Sequence, residues 1–180
     1  MHWGMLIDLK KCVGCYACTV ACQNEHELPL ELKYCKISKV GPIGQYPHLT
    51  SYNIPIACMH CAEAPCVDSC PSGASHHRED GIVAIASEKC VGCRYCMLVC
   101  PYGVRHMNEE KKVVAKCDFC IERLECGEVT RCVETCQLQA RHIGDLDDPH
   151  SEIVQLIRKY NAEPLYGHLG TQPSVYYIKA

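Results

Sequence analysis

The sequence predicts an α+β fold: two small cysteine-centred units of short hairpins and one- or two-turn helices, with connecting loops and a C-terminal helix and tail. Three observations predict it. The chain carries 18 cysteines in 180 residues. One spacing, C-x2-C-x2-C-x3-C, is written twice, as "CVGCYACTVAC" from Cys12 and as "CVGCRYCMLVC" from Cys90. Between the cysteine groups stand short β-branched runs beside Gly turns, such as "REDGIVAI", and no long amphipathic periods.

So many cysteines mean either disulfides or metal. A disulfide framework needs an oxidising compartment. The opening "MHWGMLIDLKKC" has no basic n-region, apolar h-region or small-residue cleavage site, so the secretory reading loses its main support. No apolar run approaches the roughly 18 residues of a membrane span; the longest are pieces such as "GIVAIA" and "IVQLI". With 1 Trp and 1 Phe the chain is poor in the large side chains that dominate cores, which implies that something else fills its middle.

The cysteines fall into four quartets. Cys12, Cys15, Cys18 and Cys22 follow the run of bacterial ferredoxins, and Cys90, Cys93, Cys96 and Cys100 repeat it and end in Cys-Pro. "CMHCAEAPCVDSCP" supplies Cys58, Cys61, Cys66 and Cys70 with a two-residue insertion before the third cysteine. "CDFCIERLECGEVTRCVETC" keeps C-x2-C at Cys117 and Cys120, then makes a long excursion to Cys132 and Cys136. Cys35 and Cys126 are left over. Three closely spaced thiolates can wrap one 4Fe-4S cubane while the fourth reaches a neighbouring one, so quartets work in pairs. That is why the motif is repeated. Structural zinc takes two C-x2-C pairs with a longer spacer, which the fourth quartet alone could imitate but the other three do not. The pattern therefore predicts four 4Fe-4S clusters, with these sixteen cysteines as iron ligands.

Around the quartets, "ASHHREDGIVAI" reads as strand, turn at Asp80-Gly81, and strand, and "VRHMNEEKKVVAK" repeats the plan. "NEHELP" and "PYGV" end short helical segments that Pro or Gly breaks. Residues 31 to 53 read as a strand followed by a Gly/Pro loop. In "DDPHSEIVQLIRKYN", Asp148 reads as the N-cap and Pro149 as the first helical residue, with Ile153, Leu156 and Ile157 on one face. The Tyr-rich tail "EPLYGHLGTQPSVYYIKA" suits either a partner surface or packing on the domain.

The formal charge is −3. Each oxidised cluster with four thiolates adds about −2, taking the loaded chain to roughly −11 and excluding nucleic acid as a partner. Gly14 and Gly92 allow close backbone approach to such anions, with Lys116, Arg94 and Arg131 near in sequence. The ten histidines are scattered, and His76-His77 lacks the spacing of a helical metal site. His60, between two cysteines, is a candidate for hydrogen-bonding cluster sulfur or for a surface between cofactors. There is no nucleophile elbow, phosphate loop or dinucleotide fingerprint, so no catalytic residues are expected.

The four quartets, in this order, with the insertion in the second and the gap in the fourth, resemble the four-cluster electron-transfer subunit of the molybdopterin oxidoreductases, as in polysulfide, thiosulfate and dimethyl sulfoxide reductases. The likeness runs from "GMLIDLKKCVGCYACTVAC" through "CVETCQLQA" to "GTQPSVYYI". It implies that quartets one and four form an outer ferredoxin-like unit (1–30 with 111–147) and quartets two and three an inner one (54–110). Residues 31–53 then connect the two, and 148–180 form a helix and partner-facing tail. Ligation crosses within each pair. One cluster takes Cys12, Cys15, Cys18 and Cys136, and its neighbour takes Cys22, Cys117, Cys120 and Cys132. The inner pair takes Cys58, Cys61, Cys66 with Cys100, and Cys90, Cys93, Cys96 with Cys70. "CQLQA" lacks the Pro that members often carry after the last cysteine, and Cys126 is an alternative to Cys132, although "CVETC" matches the family spacing.

The implied role is a relay of single electrons between a molybdo- or tungstopterin catalytic subunit and a membrane quinone subunit. The chain would be non-catalytic, peripheral to a membrane-associated complex, and either exported with a partner's twin-arginine signal or cytoplasmic. A polyferredoxin serving a hydrogenase, a carbon monoxide dehydrogenase or a soluble aldehyde oxidoreductase shares the same motifs.

Overall fold

The computed structural model describes residues 1–180. The chain runs β1 (Trp3–Asp8), α1 (Ala17–Glu25), β2 (Lys36–Gln45), β3 (His48–Ile56), α2 (Pro65–Asp68), β4 (Ser75–His77), β5 (Val83–Ile85), α3 (Tyr95–Leu98), β6 (His106–Asn108) and β7 (Val113–Ala115). It continues with α4 (Ile121–Glu125), α5 (Arg131–Glu134), β8 (Arg141–Asp145), α6 (Glu152–Tyr160), β9 (Glu163–Pro164) and β10 (Val175–Ile178). Short helices and small sheets make an α+β fold. No helix is long and apolar enough to cross a membrane.

One sheet of four strands, ordered β8-β1-β10-β9, gathers both ends of the chain. β1 pairs antiparallel with β8 and parallel with β10. Alternation along β1 divides the interior. Met5 and Ile7 face a core that also holds Cys18, Cys35, Cys58, Cys61, Cys132 and Phe119. Leu6 points the other way, onto Ile153 and Val154 of α6 and Ile178 of β10. A strand covered on both faces reads as one apolar run, and "GMLI" is too short to declare its period. Leu6 is completely buried. Leu6→Ala is expected to cost about 2–5 kcal/mol, seen as a lower thermal midpoint, with the cluster spectra unchanged below the transition because Leu6 lies on the face away from the cysteines.

The hairpin over 75–85 forms as read, β4 against β5, and β6 pairs with β7 in the same way. Asp80 Oδ1 accepts from Ile82 N (3.2 Å) to close the first turn. Two readings change. Residues 31–53 hold no strand-then-loop: β2 and β3 pair over their length as one long hairpin, with a register shift between Val40 and Ile43, because "PIGQYPHLT" turns at Tyr46-Pro47 and not earlier. Asp148 does not cap the last helix. Its carboxylate accepts from His150 N (2.8 Å), and Ser151 is the N-cap, accepting from Val154 N while donating to Asp145 O (2.6 Å). A hydroxyl that both caps the helix and ties it to the end of β8 does more than a carboxylate one turn earlier. The tail enters the central sheet, where Val175 and Tyr177 are buried, while Tyr166 and Leu169 remain exposed.

Candidate functional site

The four cysteine loops share one backbone device. Two residues after each first cysteine, φ turns positive: Gly14 (φ 70), His60 (φ 44), Gly92 (φ 65) and Phe119 (φ 61). This left-handed residue folds C-x2-C tightly enough to bring its two cysteines close together, and glycine occupies it at the two loops that keep the strict spacing. Tyr16 and Arg94 repeat a second left-handed turn, each just before the helix that carries the third cysteine.

Those helices explain why four loops make pairs. Cys18 and Cys22 lie one turn apart on α1, so they share a face. Cys132 on α5 and Cys136 just beyond it have the same spacing, and α1 packs on α5. Cys66 and Cys70 on and after α2, and Cys96 and Cys100 on and after α3, repeat the arrangement, with α2 against α3. Each helix thus offers thiols to two adjacent sites.

The cavities follow this crossing. One is lined by Cys12, Cys15, Cys18 and Cys136. A second is lined by Cys22, Cys117, Cys120 and Cys132, and also by Cys35 and Cys58. A third is lined by Cys70, Cys90, Cys93 and Cys96. Cys58, Cys61, Cys66 and Cys100 lie near enough to feel one another's charge. None of the eighteen cysteines is joined in a disulfide. Of the two left over, Cys126 ends α4 exposed and lines none of these cavities, whereas Cys35 is buried. Cys35 takes a hydrogen bond from Arg141 Nη2 (3.0 Å).

The donor set suits iron-sulfur cores. Burial pushes Cys120 up to about 12 and Cys61 up to about 11, so the iron-free chain holds protonated thiols there and loading must release protons. Cys18 moves down to about 5 through its hydrogen bond with Cys35, against burial and with help from Arg141. Backbone N-H groups reach the fourth cysteines, Ala140 N to Cys136 Sγ (3.3 Å) and Ser75 N to Cys70 Sγ (3.4 Å), contacts of the kind that would orient and tune a cluster ligand.

His60 is fully buried and its ring stacks on Phe119, centroids 3.8 Å apart, so the second and fourth loops meet through equivalent positions. Val83 N donates to His60 Nδ1 (3.2 Å), which leaves the proton on Nε2, and that atom is buried without a partner. Burial, with Lys116 and Arg105 close by, holds the ring neutral well below the usual histidine value. Lys116 is also buried, its Nζ donating to Cys117 O (2.8 Å) and to Val83 O. The first and third loops are open instead: Cys15 and Cys93 are exposed, beside exposed Val13 and Val20 in one and Val91 and Leu98 in the other.

Of Lys116, Arg94 and Arg131, only Lys116 lies inside. Arg94 pairs with Glu109 and Arg131 with Glu134 at the surface. The interior arginines are Arg105 and Arg141, which sequence reading passed over. A signal was present: "RH" stands five residues after the last cysteine of both the third and the fourth quartet. His26, Asp118 and Cys120 also approach one another, His26 Nε2 lying 3.6 Å from Cys120 Sγ; Cys120 is shared with the second cavity, while His26 and Asp118 line a separate polar cavity beside it.

Residues 49–146 match the family model described as a 4Fe-4S dicluster domain, and residues 3–24 match a 4Fe-4S binding domain. A selenate reductase subunit of Mesobacillus selenatarsenatis is 40% identical, the alignment covering 99% of this chain and 72% of that protein. A tetrathionate reductase subunit of Salmonella typhimurium is 39% identical over 98% of this chain and 72% of its own length. Protein NrfC of Escherichia coli is 40% identical over 99% and 81%.

Proposed function

Since the chain belongs to the 4Fe-4S dicluster family of reductase iron-sulfur subunits, and is a non-catalytic electron-transfer subunit carrying 4Fe-4S clusters, we propose how it conducts. Four clusters take the crossed sets: Cys12, Cys15, Cys18 and Cys136; Cys22, Cys117, Cys120 and Cys132; Cys58, Cys61, Cys66 and Cys100; Cys70, Cys90, Cys93 and Cys96. Residues 1–30 with 111–147 form one unit and 54–110 the other, joined where His60 stacks on Phe119. Electrons enter through one exposed loop, cross that junction and leave through the other.

The observation that carries this reading is the contrast among the four loops. Two are sealed against each other, and two open to solvent with apolar side chains beside an exposed cysteine, the composition of a patch that a partner covers. The clusters supply one-electron storage. The chain's own residues hold them, exclude water from the two inner ones and shape the two contact surfaces. A molybdo- or tungstopterin catalytic subunit covers one open loop. A membrane quinone subunit covers the other, directly or through a further carrier, leaving this chain peripheral to the membrane.

Anoxic purification of the tagged chain from cells that also make its catalytic and membrane partners is expected to yield a stable complex. Adding the catalytic subunit's electron donor or acceptor should then change the cluster signals. A monomer that never copurifies with a pterin subunit would sink the assignment in favour of a free polyferredoxin.

A further inference from the structure

We propose that the chain sets one buried cation in each gap between successive clusters, Arg141, then Lys116, then Arg105, and that each raises the reduction potential of the two clusters flanking it. The proposal rests on the ligand sets given above.

Arg141, the first residue of β8, is 4% exposed and borders both cavities of the outer pair, that of Cys12 and that of Cys22. Its Nη1 lies 3.7 Å from Cys132 Sγ. Arg105 is likewise 4% exposed, donates through Nη2 to Cys66 Sγ (2.8 Å) and borders the cavity of Cys70, Cys90, Cys93 and Cys96. It therefore stands between the two inner sets, and its Nη1 is buried with no partner. Lys116 is 5% exposed and lies at the junction, bonded to the Cys117 carbonyl on one side. On the other side it holds the Val83 carbonyl, whose own N-H reaches His60 in the loop of Cys58 and Cys61.

What the three lack decides their role. The surface cations Arg78, Arg94, Arg123 and Arg131 each pair with carboxylates, whereas none of the three buried ones has an acidic partner within salt-bridge distance. A buried charge without a counter-charge is too costly to keep, so the anions that balance these cations are the thiolate-bound cores. The sequence repeats the device where the structure needs it. Arg105 and Arg141 occupy equivalent places after the third and fourth quartets, one for each pair. Lysine also precedes the first cysteine at Lys11, Lys89 and Lys116, but Lys11 and Lys89 are exposed. Only the lysine at the single junction is interior.

Each cluster that accepts an electron becomes more negative beside neighbours that are already anionic. A cation fixed in the gap stabilises the added charge on either side, and the low local dielectric makes that attraction large. The three side chains move no proton and make or break no bond as one electron passes from one cluster to the next.

The test uses the purified loaded chain, with iron analysis and anoxic redox titration followed by paramagnetic resonance, the signals being assigned through single cysteine variants. Arg141→Met, Lys116→Met and Arg105→Met are each expected to retain four clusters. Each should disfavour reduction of two of them by at least tenfold, about 59 mV for a one-electron couple. The affected pair should step along the chain: the Cys12 and Cys22 sets for Arg141, the Cys22 and Cys58 sets for Lys116, the Cys58 and Cys90 sets for Arg105. Arg141→Lys, Lys116→Arg and Arg105→Lys should restore the wild-type potentials. Where a Met variant does not load, a charge-retaining partner that loads with wild-type potentials still supports a requirement for charge. Failure of both, or a Met variant that loads unshifted, overturns the proposal in favour of packing, as does an equal shift of all four clusters. Fewer than four clusters in the unaltered protein would instead overturn the ligand sets.

Discussion

Cys136→Ser is expected to damage the cluster held by Cys12, Cys15 and Cys18 at the other end of the sequence, and to spare the one beside Cys117 and Cys120 in its own quartet. The reason is helical. Cys132 and Cys136 lie one turn apart, and α5 packs on α1, which carries Cys18 and Cys22 at the same interval. Cys136 therefore borders the cavity of the first loop while Cys132 borders that of its own. Serine replaces a soft thiolate with a poorer iron ligand and loses the sulfur that accepts from Ala140 N. Iron content should fall by between one atom, leaving a three-iron core, and one whole cluster, with three other resonance signals unchanged. Loss of the cluster beside Cys117 and Cys120 would show that ligation is not crossed. Cys100→Ser gives the parallel result for the set of Cys58, Cys61 and Cys66.

Stripping the iron is expected to unfold most of the chain. Paired strands of three residues, as in β4–β5 and β6–β7, do not stand alone in water. The main core is lined with cysteines and contains the chain's one phenylalanine. On the proposed placement, removing the clusters leaves Arg105, Arg141 and Lys116 without counter-charges, and an uncompensated buried charge costs about 3–5 kcal/mol. Those penalties together exceed the lower part of the usual stability range of about 5–15 kcal/mol. Anoxic treatment with chelator and oxidant, followed by near-ultraviolet circular dichroism and hydrogen exchange, should show loss of fixed tertiary packing. Protection should disappear first across 75–85 and 106–115. A cluster-free chain that kept its near-ultraviolet spectrum would show that the polypeptide packs by itself and that the metal only occupies a preformed frame.

The sequence by itself determined whatever depends on neighbours along the chain. Thiol spacing named the cofactor, since C-x2-C-x2-C can close on one cubane only within a few residues. Asp80-Gly81 between short β-branched runs named a hairpin. The shortage of large side chains announced a core made of something besides hydrocarbon. Which quartets pair was legible only through resemblance to a family, because nothing local states which fourth cysteine meets which loop; the packing of α1 on α5 and of α2 on α3 supports the proposed pairing. Tertiary structure alone decided the rest. β1 and β10 come from opposite termini and become neighbours in one sheet, a pairing that no local period reports. Ser151 caps α6, and not Asp148, because β8 ends where its hydroxyl can reach Asp145. Lys11, Lys89 and Lys116 occupy the same place before a cysteine, yet two face water and one is buried at the junction with His60 and Phe119. Sequence specifies which charge each residue brings, but the free energy of that charge depends on the dielectric and counter-charges around it, and those exist only once distant segments have packed.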